Sequence, residues 1–223
     1  IHIGGTSVST AGTGVDNDNN SILENVISRC SYGVYARGLP NASDQLTGLV
    51  ISGNKIGSDI PSDYVVGYGI NLQSTDGVMV TSNEIYNMYE DQAKYGIWFG
   101  SYTTNAMISK NSIHSFGQFG TGTTTYSIGM YFSSSTGSAS NQIDNNIIYD
   151  LDQYGSTSNF YYTGIRIAGG SDYKLYFNSI HLSGEFESTA SGVQSSCLLI
   201  STAVTNIDIR DNIFSNTRTG NSP

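Results

Sequence analysis

The sequence predicts an all-β fold, a single right-handed parallel β-helix (a solenoid) of about six to seven coils, and three observations lead to it. An apolar residue is followed three positions later by asparagine and five positions later by another apolar residue, seven times in all. The asparagines are spaced 29, 29, 28, 35, 32 and 34 residues apart. The apolar runs beside them span three to five residues and alternate, which is typical of strands and not of helices. The seven asparagines are Asn25, Asn54, Asn83, Asn111, Asn146, Asn178 and Asn212.

A second short strand precedes most of these motifs, and a glycine opens it. The segment from Gly96 to Phe99 is one copy, and Cys197 fills the glycine position in the last one. We interpret the glycines as turn residues that relieve backbone strain. Two or three short strands per repeat form one coil, and successive coils should stack about 4.8 Å apart. The other copies start at Gly33, Gly69, Gly129 and Gly164.

Each asparagine is expected at a bend between two strands. Its short amide side chain accepts helical or left-handed backbone, which β-branched residues resist, and it bonds backbone groups that a turn leaves unpaired. Stacked in register, such residues form an amide ladder along one inner corner of the solenoid. The seven asparagines are therefore predicted to be structural and not catalytic.

The whole chain, residues 1–223, is predicted to be one β-helix domain, with an irregular or partial first coil over 1–19 and a tail over 217–223. It begins without an initiator methionine or signal peptide, so we expect a piece of a longer protein whose neighbouring coils or domains would be partners. Cys30 and Cys197 are too far apart along the axis for a disulfide, at about five coil spacings.

The amino-acid composition further narrows the range of possible binding partners. A formal net charge of −9 argues against nucleic acid and anionic membrane surfaces. No apolar stretch reaches the roughly 20 residues of a membrane helix, so no membrane insertion is predicted. The abundance of serine, threonine, asparagine and glycine suits a secreted or bacterial cell-surface solenoid.

The repeats resemble those of right-handed parallel β-helices of the pectate-lyase-like superfamily. The segments YFNSIHLSG (residues 176–184) and IDIRDNIFSN (residues 207–216) are also similar to repeat regions of large bacterial surface proteins exported by the type IX route. The resemblance covers residues 20–216 and implies the fold. The superfamily includes polysaccharide lyases and hydrolases as well as surface proteins without known chemistry, so it implies no single activity.

The glycine-led strands place one residue of each copy on the outer side of the solenoid. Aromatic rings beside hydrogen-bonding groups suit sugar rings, so we expect this side to bind an extended glycan, with Trp98 as its central anchor. An ordinary β surface with cross-strand aromatic contacts is the alternative. The predicted ligand-binding residues are Tyr35, Arg37, Asn71, Gln73, Trp98, Tyr131 and Arg166.

A second outward ladder follows the asparagines and contains Tyr86, His114, Tyr149 and His181. The two histidines should lie two coils apart, roughly 9.6 Å, which is too far for one metal ion. Stacking of aromatic rings between successive coils explains these four residues better than a metal site does. No cofactor, no metal centre and no tight calcium site are predicted, because no calcium-binding loop motif occurs.

The linkers between coils carry most of the acidic residues and should crowd one edge of the solenoid. Two carboxyls about 5 to 9.5 Å apart could hydrolyse a glycosidic bond, so a polysaccharide lyase or glycoside hydrolase is the alternative function. The linkers hold these acids less firmly than strands would, which favours a protein that is not an enzyme. The alternative catalytic residues are Glu90, Asp91, Asp150, Asp152, Glu185 and Glu187.

Overall fold

The computed structural model of the chain is a parallel β-solenoid with three long sheets of seven strands each. It describes residues 1–5, 13–14, 17–41, 43–89, 93–116, 125–134, 137–151, 160–186 and 194–220. A turn of the solenoid contributes one strand to each sheet in a fixed order, and every strand pairs in parallel with its equivalent in the adjacent turn. The all-β solenoid prediction is confirmed.

The first sheet contains the glycine-led strands, and the other two sheets flank the asparagines. Its strands are His2–Ile3, Tyr32–Arg37, Tyr68–Gln73, Lys94–Phe99, Thr125–Ser133, Phe160–Gly169 and Gln194–Ile200. The second sheet contains Ser21–Leu23, Val50–Ser52, Met79–Thr81, Met107–Ser109, Gln142–Asp144, Ser171–Tyr176 and Thr205–Arg210. The third sheet contains Val26–Ile27, Lys55–Ile56, Glu84–Tyr86, Ser112–His114, Ile147–Tyr149, Ser179–Leu182 and Ile213–Asn216.

Short elements join these sheets at their corners. Leu46–Thr47 pairs with Thr75–Asp76, Glu185–Phe186 pairs with Thr219–Gly220, and a single 3-10 turn spans Pro61–Asp63. Five interior turns have a neighbour on both sides, and one terminal turn at each end completes the seven strands of each sheet. The predicted six to seven coils therefore slightly exceed the five interior turns. The right-handed sense of the coil stays a prediction.

The core is a column of aliphatic and aromatic side chains inside the three sheets. Each strand contributes alternate residues to it, so that Ile70, Val80 and Ile85 of a single turn are fully buried. The same positions recur in register in each interior turn, and this is why the apolar residues of the sequence repeat with the asparagines. Within the described residues, no helix is long and apolar enough to cross a membrane.

All seven asparagines form one hydrogen-bonded ladder between the second and third sheets. The backbone N–H and the side-chain Nδ2 of each of the first six asparagines donate to the Oδ1 of the asparagine one turn further on, at 2.8–3.1 Å. Each Nδ2 from Asn54 onward also donates to a backbone carbonyl of the preceding turn. The predicted amide ladder is confirmed.

The left-handed residue of this corner lies one position before the asparagine and not at the asparagine itself. It is Gly53 in one turn and a residue with a side chain in the others, with φ between 54° and 58°. The asparagine is needed for its hydrogen bonds, whereas its neighbour accepts the unfavourable backbone angle. The residues with side chains are Glu24, Ser82, Lys110, Asn145, Phe177 and Asp211.

The glycines of the first sheet have a different role from the one predicted. Their φ angles are not left-handed, and they lie within strands. A Cβ at Gly96 would lie 2.5 Å from the Gly129 carbonyl oxygen of the next turn and 2.8 Å from Cγ2 of Ile113. The four equivalent glycines meet the same two obstacles, so glycine is required by the close approach of stacked turns and not by a turn conformation.

Both cysteines are free, and Cys197 is buried. Burial raises the pKa of both thiols. The absence of a bridge between Cys30 and Cys197 agrees with their predicted separation, and both side chains act as small core residues.

Candidate functional site

Aromatic rings line the outer side of the first sheet over four successive turns. Tyr32 lies 4.8 Å from Tyr68, measured between ring centroids, and Tyr68 lies 5.0 Å from Tyr95, with interplanar angles of 2° and 11°. Trp98 stacks 5.3 Å from Tyr68, and Tyr131 stacks 5.6 Å from Tyr95. We call these five residues the aromatic stack.

The rings of the aromatic stack cover one another's faces. Nearly parallel rings whose centroids are about 5 Å apart must overlap, because rings lying side by side in one plane would be further apart. At the far end the guanidinium carbon of Arg166 lies 5.2 Å from the Tyr131 centroid, in a cation–π contact. The ring faces of the stack are therefore occupied, and half-buried Tyr131 and Arg166 lie at its far end.

Two of the predicted ligand-binding residues are not accessible. Tyr35 exposes 3% of its surface and Asn71 exposes 1%. The Tyr35 ring is enclosed edge-on by His2 and Tyr32, at 5.1 and 5.5 Å. A ligand on the outer side of the first sheet would not touch either residue, so the expectation of a contact ladder starting at Tyr35 is wrong at these two positions.

The remaining predicted residues are half-buried. Arg37 and Gln73 lie at the ends of their strands, and the Gln73 Nε2 donates to Asn71 Oδ1 at 3.4 Å. The Trp98 indole Nε1–H donates to the Ser133 hydroxyl at 2.9 Å. Because three tyrosine rings also pack on it, Trp98 contributes to packing as well as to the outer surface.

The first sheet differs in charge from the rest of the molecule. The protein carries 18 acidic residues, yet none lies in a first-sheet strand. Burial raises the pKa of Tyr95, and the neighbouring hydroxyls of Tyr68 and Tyr131 raise it further. Burial also raises the pKa of Tyr32 and Tyr68, so these phenols stay neutral donors at physiological pH.

Three residues of the aromatic stack were missed by the sequence reasoning. Tyr32, Tyr68 and Tyr95 each precede a first-sheet glycine, and strict alternation along a strand would place them opposite Trp98. The alternation is interrupted at the glycine, so residues three positions apart share a side. The recurring Tyr-Gly pair in three consecutive repeats was the available signal.

The second outward ladder consists of stacked rings, as predicted. The His114 ring lies 5.8 Å from Tyr86 and 4.7 Å from Tyr149, and His181 is in register with Tyr149. Glu84 contacts both His114 and Lys55 at 3.4 Å. Among the described residues, no three His, Cys, Asp or Glu side chains come together as a metal site requires.

The alternative catalytic acids do not form a site that the structure displays. Glu90, Asp91, Asp152 and Glu187 lie outside the described residues. Asp150 has left-handed backbone at φ 56°, where it turns the chain at the end of a third-sheet strand, and Glu185 is exposed. A carboxylate pair at hydrolase spacing stays a prediction.

An open hollow of about 400 Å³ lies on the second sheet near the last turns. Its lining includes Ser140, Asp172, Lys174, Asn206 and Asp208. Hydrogen bonds from the side chains of Ser171, Ser138 and Asn206 lower the pKa of Asp172, and hydrogen bonds from Arg210 and Tyr176 lower the pKa of Asp208. The two carboxylates thus already accept hydrogen bonds from groups within the protein. We therefore assign no ligand to this hollow.

Comparison with known proteins assigns neither a family nor a function to this chain. No protein family matches the sequence, and no curated protein matches it either.

Proposed function

We propose that the chain is a rigid, elongated scaffold and adhesion module of a secreted or bacterial surface protein, and that the outer side of its first sheet binds an extended polysaccharide. Under this proposal it is a β-helix of the pectate-lyase-like superfamily, in a repeat region like those of type IX-exported proteins. The observation that carries it is the aromatic stack with Arg166, on strands that hold no acidic residue in an acidic protein.

The chemistry of this side favours a partner rich in hydroxyl groups. Neutral phenols both donate and accept hydrogen bonds, and the Arg166 guanidinium adds further donors. Because the ring faces are covered by one another, sugar would contact ring edges and hydroxyls and would not stack on the indole face.

Several contacts along the axis compensate for the weakness of each one. The turns lie about 4.8 Å apart, so a glycan lying along the solenoid would meet Trp98, Tyr131 and Arg166 in successive turns. Several weak contacts on one rigid surface bind together with high effective concentration.

The test is binding to a glycan array and to insoluble polysaccharides by two variants. Tyr131→Phe removes one hydroxyl and keeps the stacked ring, and Arg166→Gln removes the guanidinium. We expect each to weaken binding at least fivefold, while Tyr86→Phe on the third sheet, the matched control, leaves it unchanged.

Two results would reject this proposal. One is that no polysaccharide binds the unaltered chain. The other is that binding is equally weakened by Tyr86→Phe, which would mean that the contact is not specific to the first sheet.

A further inference from the structure

A serine, a histidine and a glutamate lie in contact on the outer side of the third sheet. The Ser115 hydroxyl lies 3.0 Å from Nδ1 of His114, and Nε2 of the same ring lies 3.4 Å from Oε1 of Glu84, one turn away. A nucleophile, a base and an acid that orients the base are the three parts of a serine hydrolase site. The usual arrangement has Nε2 on the serine and Nδ1 on the acid, but either imidazole nitrogen can accept the proton.

The backbone brings Ser115 and His114 to the same side of the sheet. Neighbouring residues of an extended strand point to opposite sides, but the strand ends at His114, and Ser115 has a left-handed φ of 57°. Ile113 before this pair and Phe116 after it are fully buried, so the pair is held at the surface between two core residues. Nδ1, the ring nitrogen closer to the backbone, is then the one that reaches the adjacent hydroxyl.

The imidazole of His114 is fixed both in position and in the placement of its hydrogen. It lies between the rings of Tyr86 and Tyr149, at 5.8 and 4.7 Å between centroids, and its side chain is 14% exposed. A carboxylate only accepts hydrogen bonds, so the contact with Glu84 places the ring hydrogen on Nε2 and leaves Nδ1 to accept from the serine hydroxyl. Lys55 contacts the other carboxylate oxygen, Oε2, at 3.4 Å, which leaves Oε1 for the histidine.

A backbone N–H beside the serine can stabilise charge that develops on a substrate. Within the described residues, the Ser115 N–H has no acceptor, whereas the Phe116 N–H donates to the Asp150 carbonyl at 3.0 Å. The N–H of the nucleophile's own residue is part of the oxyanion hole in serine proteases. A single donor stabilises the oxyanion only in part, which favours esters over amides, because an alcohol is the better leaving group.

The fold does not require this combination of side chains. The two adjacent turns carry Tyr86 with Asn87, and Tyr149 with Asp150, at the positions of the His-Ser pair, and both second residues have the same left-handed backbone. A tyrosine ring is therefore enough for the stacking, and an amide or carboxylate residue is enough for the turn. The histidine and serine add a proton acceptor and a nucleophile that these neighbouring pairs do not supply.

We propose that Ser115, His114 and Glu84 form a hydrolytic site for small carboxylic esters. The Ser115 Oγ attacks the ester carbonyl while its proton passes to Nδ1 of His114, and Glu84 holds the resulting imidazolium in place. The bond from the carbonyl carbon to the alcohol oxygen then breaks, the alcohol takes the proton from His114, and the acyl group stays on Oγ. Water attacks the acyl carbon as it gives a proton to His114, and that proton returns to Oγ when the acid is released.

This activity does not depend on the proposed binding of polysaccharide. The three residues lie on the third sheet, whereas the aromatic stack and Arg166 lie on the first. Either activity can therefore be lost by substitution without loss of the other.

The first test uses a fluorophosphonate probe, which reacts with an activated serine and not with an ordinary hydroxyl. Oγ displaces fluoride from phosphorus, and we expect mass spectrometry to place the label on Ser115 of the unaltered chain. His114→Gln should slow labelling at least tenfold. Ser115→Gly should abolish it and keep the fold, because glycine accepts a φ of 57°. Ser179→Ala on the same sheet is the matched control and should leave labelling unchanged.

Hydrolysis of p-nitrophenyl acetate measures turnover. Exposed imidazoles also cleave this ester, so the comparison between variants carries the result. Ser115→Gly and His114→Gln should each lower kcat/KM at least tenfold. Glu84 acts through the histidine as a positioning residue, so Glu84→Ala should lower kcat at least fivefold and leave KM unchanged. Glu84→Gln should recover part of this loss, because its amide oxygen still accepts from Nε2–H.

Three results would overturn the proposal. The first is that the unaltered chain takes no label at Ser115, and this measurement is decisive even if a substitution unfolds the protein. The second is that His114→Gln is labelled as fast as the unaltered chain. The third is that Ser115→Gly, shown to be folded by its unfolding curve, hydrolyses the ester at an unchanged rate.

Discussion

At the scale of single residues, the asparagine ladder carries the most information about this protein. The amide of an interior asparagine such as Asn111 donates to the Asn146 Oδ1 of the next turn and to the Val80 carbonyl of the preceding turn, and it accepts from Asn83. The side chains of Asn54, Asn83, Asn111, Asn146 and Asn178 are at most 1% exposed, so water cannot replace these bonds.

Replacing Asn111 with leucine should destabilise the fold strongly. The change removes the acceptor of the Asn83 backbone N–H and the donor to the Val80 carbonyl, both buried. We expect a loss of about 3 kcal/mol in the free energy of unfolding, measured by denaturant titration. Asn25→Leu in the exposed first turn is the control and should cost less than half as much. Equal losses at the two positions would contradict a ladder supported by burial.

A substitution at the residue before the asparagine should have the opposite effect and stabilise the fold. Phe177 has φ 56° and an exposed side chain, so it bears left-handed strain without contributing to the core. Phe177→Asn should raise the free energy of unfolding by about 0.5 to 1 kcal/mol, because asparagine accepts this conformation more readily. Phe177→Ala retains the strain and should not stabilise the chain. A gain with alanine as large as that with asparagine would show that removal of the exposed ring is the cause.

At the scale of elements, the first sheet is governed by how closely its strands approach. The five first-sheet glycines form a column along the solenoid axis, the glycine column, which allows the backbone of each turn to approach the carbonyl groups of the next. The aromatic stack lies on the outside of the same strands. Close stacking of the backbone brings the rings to about 5 Å, where aromatic pairs are favourable by about 0.5 to 1.5 kcal/mol each.

Adding a methyl group to the glycine column should disrupt this sheet. Gly96→Ala places a Cβ 2.5 Å from a backbone oxygen, and the sheet must open to admit it. We expect a loss of about 3 kcal/mol by thermal or denaturant unfolding. Gly137→Ala is the control, since no atom lies within 4 Å of its Cβ position. Near-equal stability of the two variants would mean that the column is not close-packed.

The buried phenols predict an alkaline limit to stability. The pKa of Tyr95 and that of Tyr173 are raised by burial above their ordinary value of 10.0. Both phenols stay protonated in the fold while the unfolded chain ionises, so their contribution is complete below about pH 10 and is lost as the pH rises above it. The unfolding midpoint should fall between pH 10 and 12, and less steeply in Tyr95→Phe. A midpoint independent of pH across this range would contradict the burial of these hydroxyls.

At the scale of the whole molecule, stability is the sum of contacts between neighbouring turns. The five interior turns each have a neighbour on both sides. Most contacts of a turn are with the turns beside it, although Gln45 donates to Tyr102 and Thr104, and Arg218 donates to Leu151, two turns away. A defect should therefore weaken one region before it weakens the rest.

The whole molecule should not depend on calcium. An ordered site needs six to eight oxygens converging on one ion, and the acidic side chains Asp76, Asp144 and Asp172 instead accept hydrogen bonds from neighbouring hydroxyl or amide groups. Calorimetry should show no submicromolar calcium binding, and a chelator should leave the unfolding midpoint unchanged. Unfolding in chelator would contradict this expectation.

The sequence by itself determined the fold class, the order of the strands and the asparagine ladder, because each depends on a local motif repeated at nearly constant spacing. Asn54 and Asn83 lie in register for the same reason that Ile51 and Val80 do. Spacing within a repeat was therefore enough to place them.

Only the tertiary structure decided which groups are reached by solvent. Tyr35 and Trp98 occupy equivalent sequence positions, but Tyr35 is enclosed by His2 and Tyr32 whereas Trp98 stays half-buried. The ring faces of the aromatic stack are not available to a ligand, because the rings stack on one another. Glycine is required at position 96 because of a carbonyl 33 residues away, in the next turn. These properties depend on distances between turns, which a one-dimensional pattern does not contain.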